Sequence, residues 1–243
     1  MIVTTELNSI ARKMVARNKG ILAADESNAT MTKRLESINV VSTPESRRQW
    51  RQLLFQTQDI GDFISGVIMY DETIRQSDDS GKRFVELLAM SDILSGIKVD
   101  KSTHDLAGAP AEFITDGLDG IRDRLSHYYE MGARFAKWRA LLTVGNGRPS
   151  DYAIHTNAHA LGRYAVVCQE QGLVPIVEPE ILMDGSHSIA ECRSATKRSL
   201  IAVFEELIAQ RVELGGIVLK PNMVISGSEA PNRAPPTEVA RQT

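Results

Sequence analysis

Six short apolar runs, each the length of a β-strand, recur along the chain with helical stretches between most of them. They are GILAAD (20–25), GVIMYD (66–71), GIKVDK (96–101), FAKWRA (135–140), VPIVEPE (174–180) and GIVLKPN (216–222). Each opens at a glycine, a proline or another break in pattern, and most end in charged residues. Thr43 before Pro44 reads as a helix N-cap and first helical position, with Trp50, Leu53 and Leu54 following at helical spacing. Leu118, Ile121, Leu125 and Tyr128 form a second stripe, closed by Gly132. Ser150 opens a third helix with Ile154, Leu161, Ala165 and Cys168 on one face and Gly172 at its end. Ile189, Cys192, Leu200, Val203 and Leu207 mark a fourth. The stretch after the second run carries no clear signal.

Strands alternating with helices imply right-handed βαβ units and a parallel sheet. Two architectures compete, a doubly wound open sheet and a closed barrel. No Gly-x-Gly-x-x-Gly turn follows the first run, which weakens a dinucleotide-binding reading. Lys137 and Arg139 are two apart in one run, as are Glu178 and Glu180, so each pair shares one strand face. Helices would cover that face in a doubly wound sheet, whereas in a barrel the strand ends open into a polar mouth. The expected fold is therefore α/β, of the TIM (β/α)8-barrel family, with about six of the eight βα units present and residues 1–243 forming a single incomplete domain.

The composition is that of a globular protein: 42% of the 243 residues are hydrophobic and 24% charged, with a formal net charge of −3. Nucleic-acid binding would call for a basic excess or stripe that is absent. No apolar run approaches the roughly 20 residues needed to span a bilayer, and no secretory leader is visible, so the expectation is a cytoplasmic protein without a membrane partner. Cys168 and Cys192 sit at apolar helix positions and are expected to be buried, reduced thiols.

Asp25, Lys98, Lys101, Lys137, Arg139, Glu178, Glu180 and Lys220 cluster at the strand ends. Any one of them reads as an ordinary solvated charge. As a set they do not, because Lys98, Lys137 and Lys220 lie inside apolar runs, where an unpaired ammonium costs several kcal/mol. Five cations against three carboxylates predict a locally positive mouth suited to an anionic ligand such as a sugar phosphate. A lysine crowded by cations is a better nucleophile, and a nearby carboxylate can move protons. Lysine plus carboxylate points to carbonyl chemistry through an imine, with no metal and no cofactor. His155 and His159 are four apart on a helix, a ligand spacing, yet no glutamate follows His155 in the HExxH manner.

At these residues the sequence resembles a known family. GILAADES (20–27), GIKVDK, FAKWR (135–139), VPIVEPEIL (174–182) and LKPNMV (219–224) are similar, in order, to the strand motifs of class I fructose-bisphosphate aldolases, from about residue 7 onward. The resemblance implies cleavage of fructose 1,6-bisphosphate to dihydroxyacetone phosphate and glyceraldehyde 3-phosphate, as in glycolysis, through a lysine Schiff base. Carried over residue by residue, it makes Lys220 the imine-forming lysine and Glu178 the proton shuttle and base. Asp25 then orients the reacting hydroxyl and steadies the lysines, and Lys137 stands beside the nucleophile. Lys98 and Arg139 lie near the phosphate remote from the imine, and Glu180 is a supporting acid. Residues 27–34 resemble the family's small-residue phosphate loop, with Thr30 and Arg34 as substrate-binding candidates; Asn28-Ala29-Thr30 stands where the family has Thr-Gly before a small hydroxyl residue. The family also implies a homo-oligomer, a tetramer.

The motif order leads us to expect strands one to six only, without the family's seventh and eighth strands, their glycine-rich phosphate loops or its C-terminal tail. Thr237 is expected to cap a terminal helix too short to stand alone. Three readings follow: an aldolase chain that splits fructose 1,6-bisphosphate into two triose phosphates, a Schiff-base aldolase for another phosphorylated ketose, or a non-catalytic remnant acting through subunit or partner binding.

Overall fold

The structure, a computed structural model, describes residues 4–243. In chain order it contains α1 (Thr4–Met14), β1 (Gly20–Ala24), α2 (Asn28–Glu36), α3 (Pro44–Phe55), α4 (Ile60–Phe63), β2 (Ile64–Met69), α5 (Asp71–Ile74), α6 (Phe84–Met90), β3 (Leu94–Lys98), β4 (Ser102–Asp105), β5 (Phe113–Asp116), α7 (Ile121–Met131), β6 (Phe135–Leu142), α8 (Asp151–Glu170), β7 (Val174–Ile181), α9 (Ile189–Ala209), β8 (Val218–Leu219) and α10 (Pro236–Gln242). The six apolar runs become one sheet in the order β1-β2-β3-β6-β7-β8. β1 with β2, β2 with β3, β3 with β6 and β7 with β8 pair in parallel. Sequential parallel strands with intervening helices give six of the eight βα units of the TIM-barrel family. The antiparallel hairpin β4–β5 was not foreseen. β4 reads Ser-Thr-His-Asp, exposed throughout, and offers no apolar alternation to find it by.

The expected helix starts are built from side chains. Thr43 caps α3 in a reciprocal capping box with Ser46, and Ser188, which the sequence had not marked, does the same for α9 with Glu191. The Ser150 hydroxyl accepts from the Ala153 N–H at 3.1 Å at the head of α8. The stretch left unassigned after β2 holds α5 and α6. Four expectations need correction. Leu118 precedes α7, which begins at Ile121. Thr237 lies inside α10, whose N-cap is Pro235 with Pro236 at the first helical position, where a fixed φ is already helical. Residues 27–34 are not a loop, since Ser27 caps α2 and Asn28-Ala29-Thr30 is its first turn. Alanine, where the family has glycine, favours that turn by about 1 kcal/mol. Finally, α3 does not bury a leucine stripe: Leu53 is 67% exposed, and the buried face is Arg47, Arg51 and Phe55.

Contacts divide the chain into two compact units. The first comprises the described residues up to Val99 with Arg122–Lys137 and Cys168–Pro175; the second comprises Asp100–Ile121, Trp138–Val167 and Ile176–Thr243. In the first, Phe55 and Phe84 meet edge to face at 5.2 Å, and the Phe135 ring lies over Gly66 and Gly96. A Cβ at Gly96 would overlap that ring, so this glycine is dictated by packing. In the second, Leu106, Leu142, Ala153, Ile181, Cys192 and Val224 share a core, and Trp138 packs on Tyr164 at 5.5 Å. Both cysteines are buried and free, as expected.

Tyr128 of α7 is buried and donates to Asp71 Oδ1 at 2.7 Å. Burial first, and then that hydrogen bond to a carboxylate, push its phenol up to about 12. A raised folded pKa gives stability that is complete below the ordinary value near 10 and is lost as pH rises through 12. The thermal transition of the parent should therefore fall more steeply between about pH 10 and pH 12 than that of Tyr128→Phe. Parallel curves for the two proteins would contradict this.

Candidate functional site

Asp25 follows the last residue of β1, and Lys98 is the last residue of β3. Lys137 lies on β6, in register with Lys98. Neighbouring lysines in a parallel pair repel unless an anion is at hand. Asp25 supplies one: Lys137 Nζ donates to its Oδ2 at 2.9 Å, with both side chains at most 10% exposed. This is the buried lysine the sequence pattern called for, and its charge is matched. Lys98 is half-buried.

Further in the first unit, Thr30 and Arg34 belong to α2. The Thr30 hydroxyl lies 3.1 Å from that of Ser27, and Arg34 is exposed and paired with Glu26. The sequence did not mark the group beneath them. Arg51, 2% exposed, donates from Nε to Ala24 O at 2.9 Å and from Nη2 to Glu26 O at 3.1 Å. Its Nη2 also lies 3.0 Å from a Glu26 carboxylate oxygen. One turn earlier, Arg47 grips Glu72 with two hydrogen bonds of 2.8 and 2.7 Å. That contact holds the Glu72 carboxyl below its usual value. A spacing of four between Arg47, Arg51 and Phe55 was the signal available, overshadowed by the leucines beside it.

In the second unit, Glu178 and Glu180 lie on β7 and Arg139 on β6. Glu178 is 4% exposed and accepts from Lys220 Nζ at 2.5 Å. Arg139 and Glu180 form a more open pair at 3.2 Å. Lys220 differs from expectation: it follows the two-residue strand β8, and its side chain is 49% exposed. The strand ends before it, so burial does not crowd this lysine, and its carboxylate partner is the stronger feature. Its position is set by its own N–H, which donates to Val177 O at 2.9 Å. Asn222 fixes the next turn, accepting from Ile181 N–H at 3.3 Å and donating to Thr196 Oγ1 at 3.1 Å.

The charges thus form matched pairs, Asp25–Lys137, Glu178–Lys220 and Glu180–Arg139, rather than a bare positive ring. Lys101 is exposed, just before the β4–β5 hairpin. His155 and His159 both face Glu206 of α9, at 3.9 and 3.1 Å. Among the described residues no group of three or more His, Cys, Asp or Glu is arranged to hold a metal ion. None of their helices is long and apolar enough to cross a membrane.

An amine against a buried carboxylate can attack a carbonyl and hand the resulting protons to its partner. Comparison with known proteins points the same way. Residues 6–243 match the family model described as fructose-bisphosphate aldolase class-I, glycolytic. The cytosolic fructose-bisphosphate aldolase 4 of Arabidopsis thaliana is 51% identical over the whole chain, which spans 62% of that relative. The "Probable fructose-bisphosphate aldolase class 1" of Xanthomonas axonopodis pv. citri is 50% identical over 98% of the chain, which spans 71% of it. Among solved structures, the Plasmodium falciparum fructose-bisphosphate aldolase, crystallised with TRAP and a small-molecule inhibitor, superposes with a TM-score of 0.97 at 45% identity, over 99% of this chain and 70% of that one.

Proposed function

The chain belongs to the class I fructose-bisphosphate aldolase family, and on that premise we propose that it carries the Schiff-base machinery for splitting fructose 1,6-bisphosphate. The observation that carries this reading is the 2.5 Å contact between the Lys220 amine and the buried Glu178 carboxylate. The Lys220 amine attacks the substrate ketone to give a carbinolamine, Glu178 protonates the departing hydroxyl, and water leaves as the iminium forms. Glu178, ionised once that proton is spent, then takes the proton of the hydroxyl on the far side of the scissile bond. The carbon–carbon bond breaks, its electron pair flows into the iminium, and an aldehyde phosphate departs. The enamine left on Lys220 is protonated and hydrolysed to release dihydroxyacetone phosphate.

Asp25 orients the reacting hydroxyl and, with Lys137, fixes the charge around it. Lys98 and Arg139 serve the phosphate remote from the imine, with Glu180 holding Arg139. Thr30 and Arg34, on the first and last turns of α2, serve a phosphate near the amino end of that helix. The cytoplasm, named for the plant relatives, is the proposed compartment, and a homo-oligomer the proposed assembly. A coupled assay over a panel of phosphorylated ketoses tests the substrate. Fructose 1,6-bisphosphate should give the highest kcat/KM, without added metal and in the presence of a chelator. Preference for another ketose, or turnover that needs a divalent ion, would refute the reading.

A further inference from the structure

Among the described charged side chains that the proposed reaction leaves unused, Arg51 is the most deeply buried, at 2% exposed. Removing a guanidinium from water costs several kcal/mol, and an apolar side chain of similar volume is often no less stable in such a place. Burial accordingly pulls its pKa down from the ordinary arginine value, against the charges of Glu26, Glu72 and Asp25. It donates to two backbone carbonyls, those of Ala24 and Glu26, which bracket Asp25 in the chain, and its Nη2 also lies 3.0 Å from the Glu26 carboxylate. Asp25 in turn meets Lys137 inside the same unit at 2.9 Å.

We propose that Arg51 is a positioning residue, whose rigid fork holds the carbonyls of the residues before and after Asp25 and so keeps the Asp25 carboxylate aimed at Lys137. Two carbonyls held by one planar group leave the backbone around Asp25 little freedom, and the Cα–Cβ direction of Asp25 is set with it. A lysine ammonium is a single point of charge without that fork, so the exchange is not conservative here. Arg47 is the internal comparison. It lies on the same face of α3, one turn away, and its guanidinium grips the Glu72 side chain instead of the β1 backbone. It therefore supports the fold without aiming Asp25. The inference rests on the proposed function for its catalytic consequence, but its structural part stands apart from it.

The test compares crystal structures, thermal transitions and steady-state constants of the parent, Arg51→Lys and Arg47→Lys. In Arg51→Lys the Asp25 carboxylate should leave hydrogen-bond reach of Lys137. For fructose 1,6-bisphosphate, kcat should fall about 10- to 100-fold, as displacements near 1 Å can cost that much, while KM stays within about 3-fold. Arg47→Lys should lower the thermal transition but keep both the Asp25–Lys137 contact and kcat. If Arg51→Lys does not fold, Arg51→Gln, which keeps a donor without the charge, takes its place with the same expectations. An intact Asp25–Lys137 contact in the Arg51 variant, or equal kcat losses in both arginine variants, would overturn the proposal. A parent protein that does not cleave the substrate would refute the proposed function alone, and the crystallographic comparison would still decide the role of Arg51.

Discussion

Lys220→Ala should lower kcat for fructose 1,6-bisphosphate cleavage by about 10⁴-fold or more, because loss of a covalent nucleophile removes the pathway rather than one interaction. Lys220→Arg should fare no better, since a guanidinium does not deprotonate to attack a carbonyl. The fold should tolerate both changes. Lys220 is about half exposed and lies beyond β8, held by its own backbone N–H. The thermal transition should therefore move little while turnover disappears. That separation identifies a catalytic loss. Steady-state assay of both variants, with calorimetry on the same samples, is the check. Turnover within 10-fold of the parent would exclude Lys220 as nucleophile.

The second large effect is on stability. Lys137→Met removes one half of a buried pair and leaves the Asp25 carboxylate without its ammonium. Breaking such a pair costs about 3–5 kcal/mol, which for a chain of this size lowers the transition by roughly 6–20 °C. Asp25→Asn combined with Lys137→Met should recover much of the loss, because no charge is then stranded. A Lys137→Met protein as stable as its parent would mean that the pair is solvated and that its burial has been misjudged.

The strand ladder was legible because its signal is local and repeated. Each of the six runs is apolar, short and bounded by breaks, and all six entered the sheet. Two helix starts were legible for the same reason, with Thr43 and Ser150 at their heads. Two kinds of feature were not. β4 is exposed throughout, and its partner β5 is only four residues long with two apolar residues, too short a run to announce itself. The buried face of α3 was masked because periodicity weighs leucine above arginine. Yet Arg47 and Arg51 are the inward residues and Leu53 the outward one.

The same limit applies to the candidate site. Residue types and motif order led to Lys220, Glu178, Asp25 and Lys137, but which charge meets which depends on contacts far apart in sequence. Asp25 and Lys137 are 112 residues apart, and Glu178 and Lys220 are 42 apart. A ring counted as five cations and three carboxylates turned out to contain three matched pairs. The excess of two cations in that count is unchanged, but three of the five each lie against a carboxylate.

The measurement closest to the central claim is covalent capture of the imine. The protein is incubated with dihydroxyacetone phosphate, reduced with borohydride, digested and mapped by mass spectrometry. The account predicts one reduced adduct, on Lys220, that vanishes in Lys220→Ala. An adduct on Lys98, Lys101 or Lys137 instead, or labelling that persists in Lys220→Ala, would contradict it.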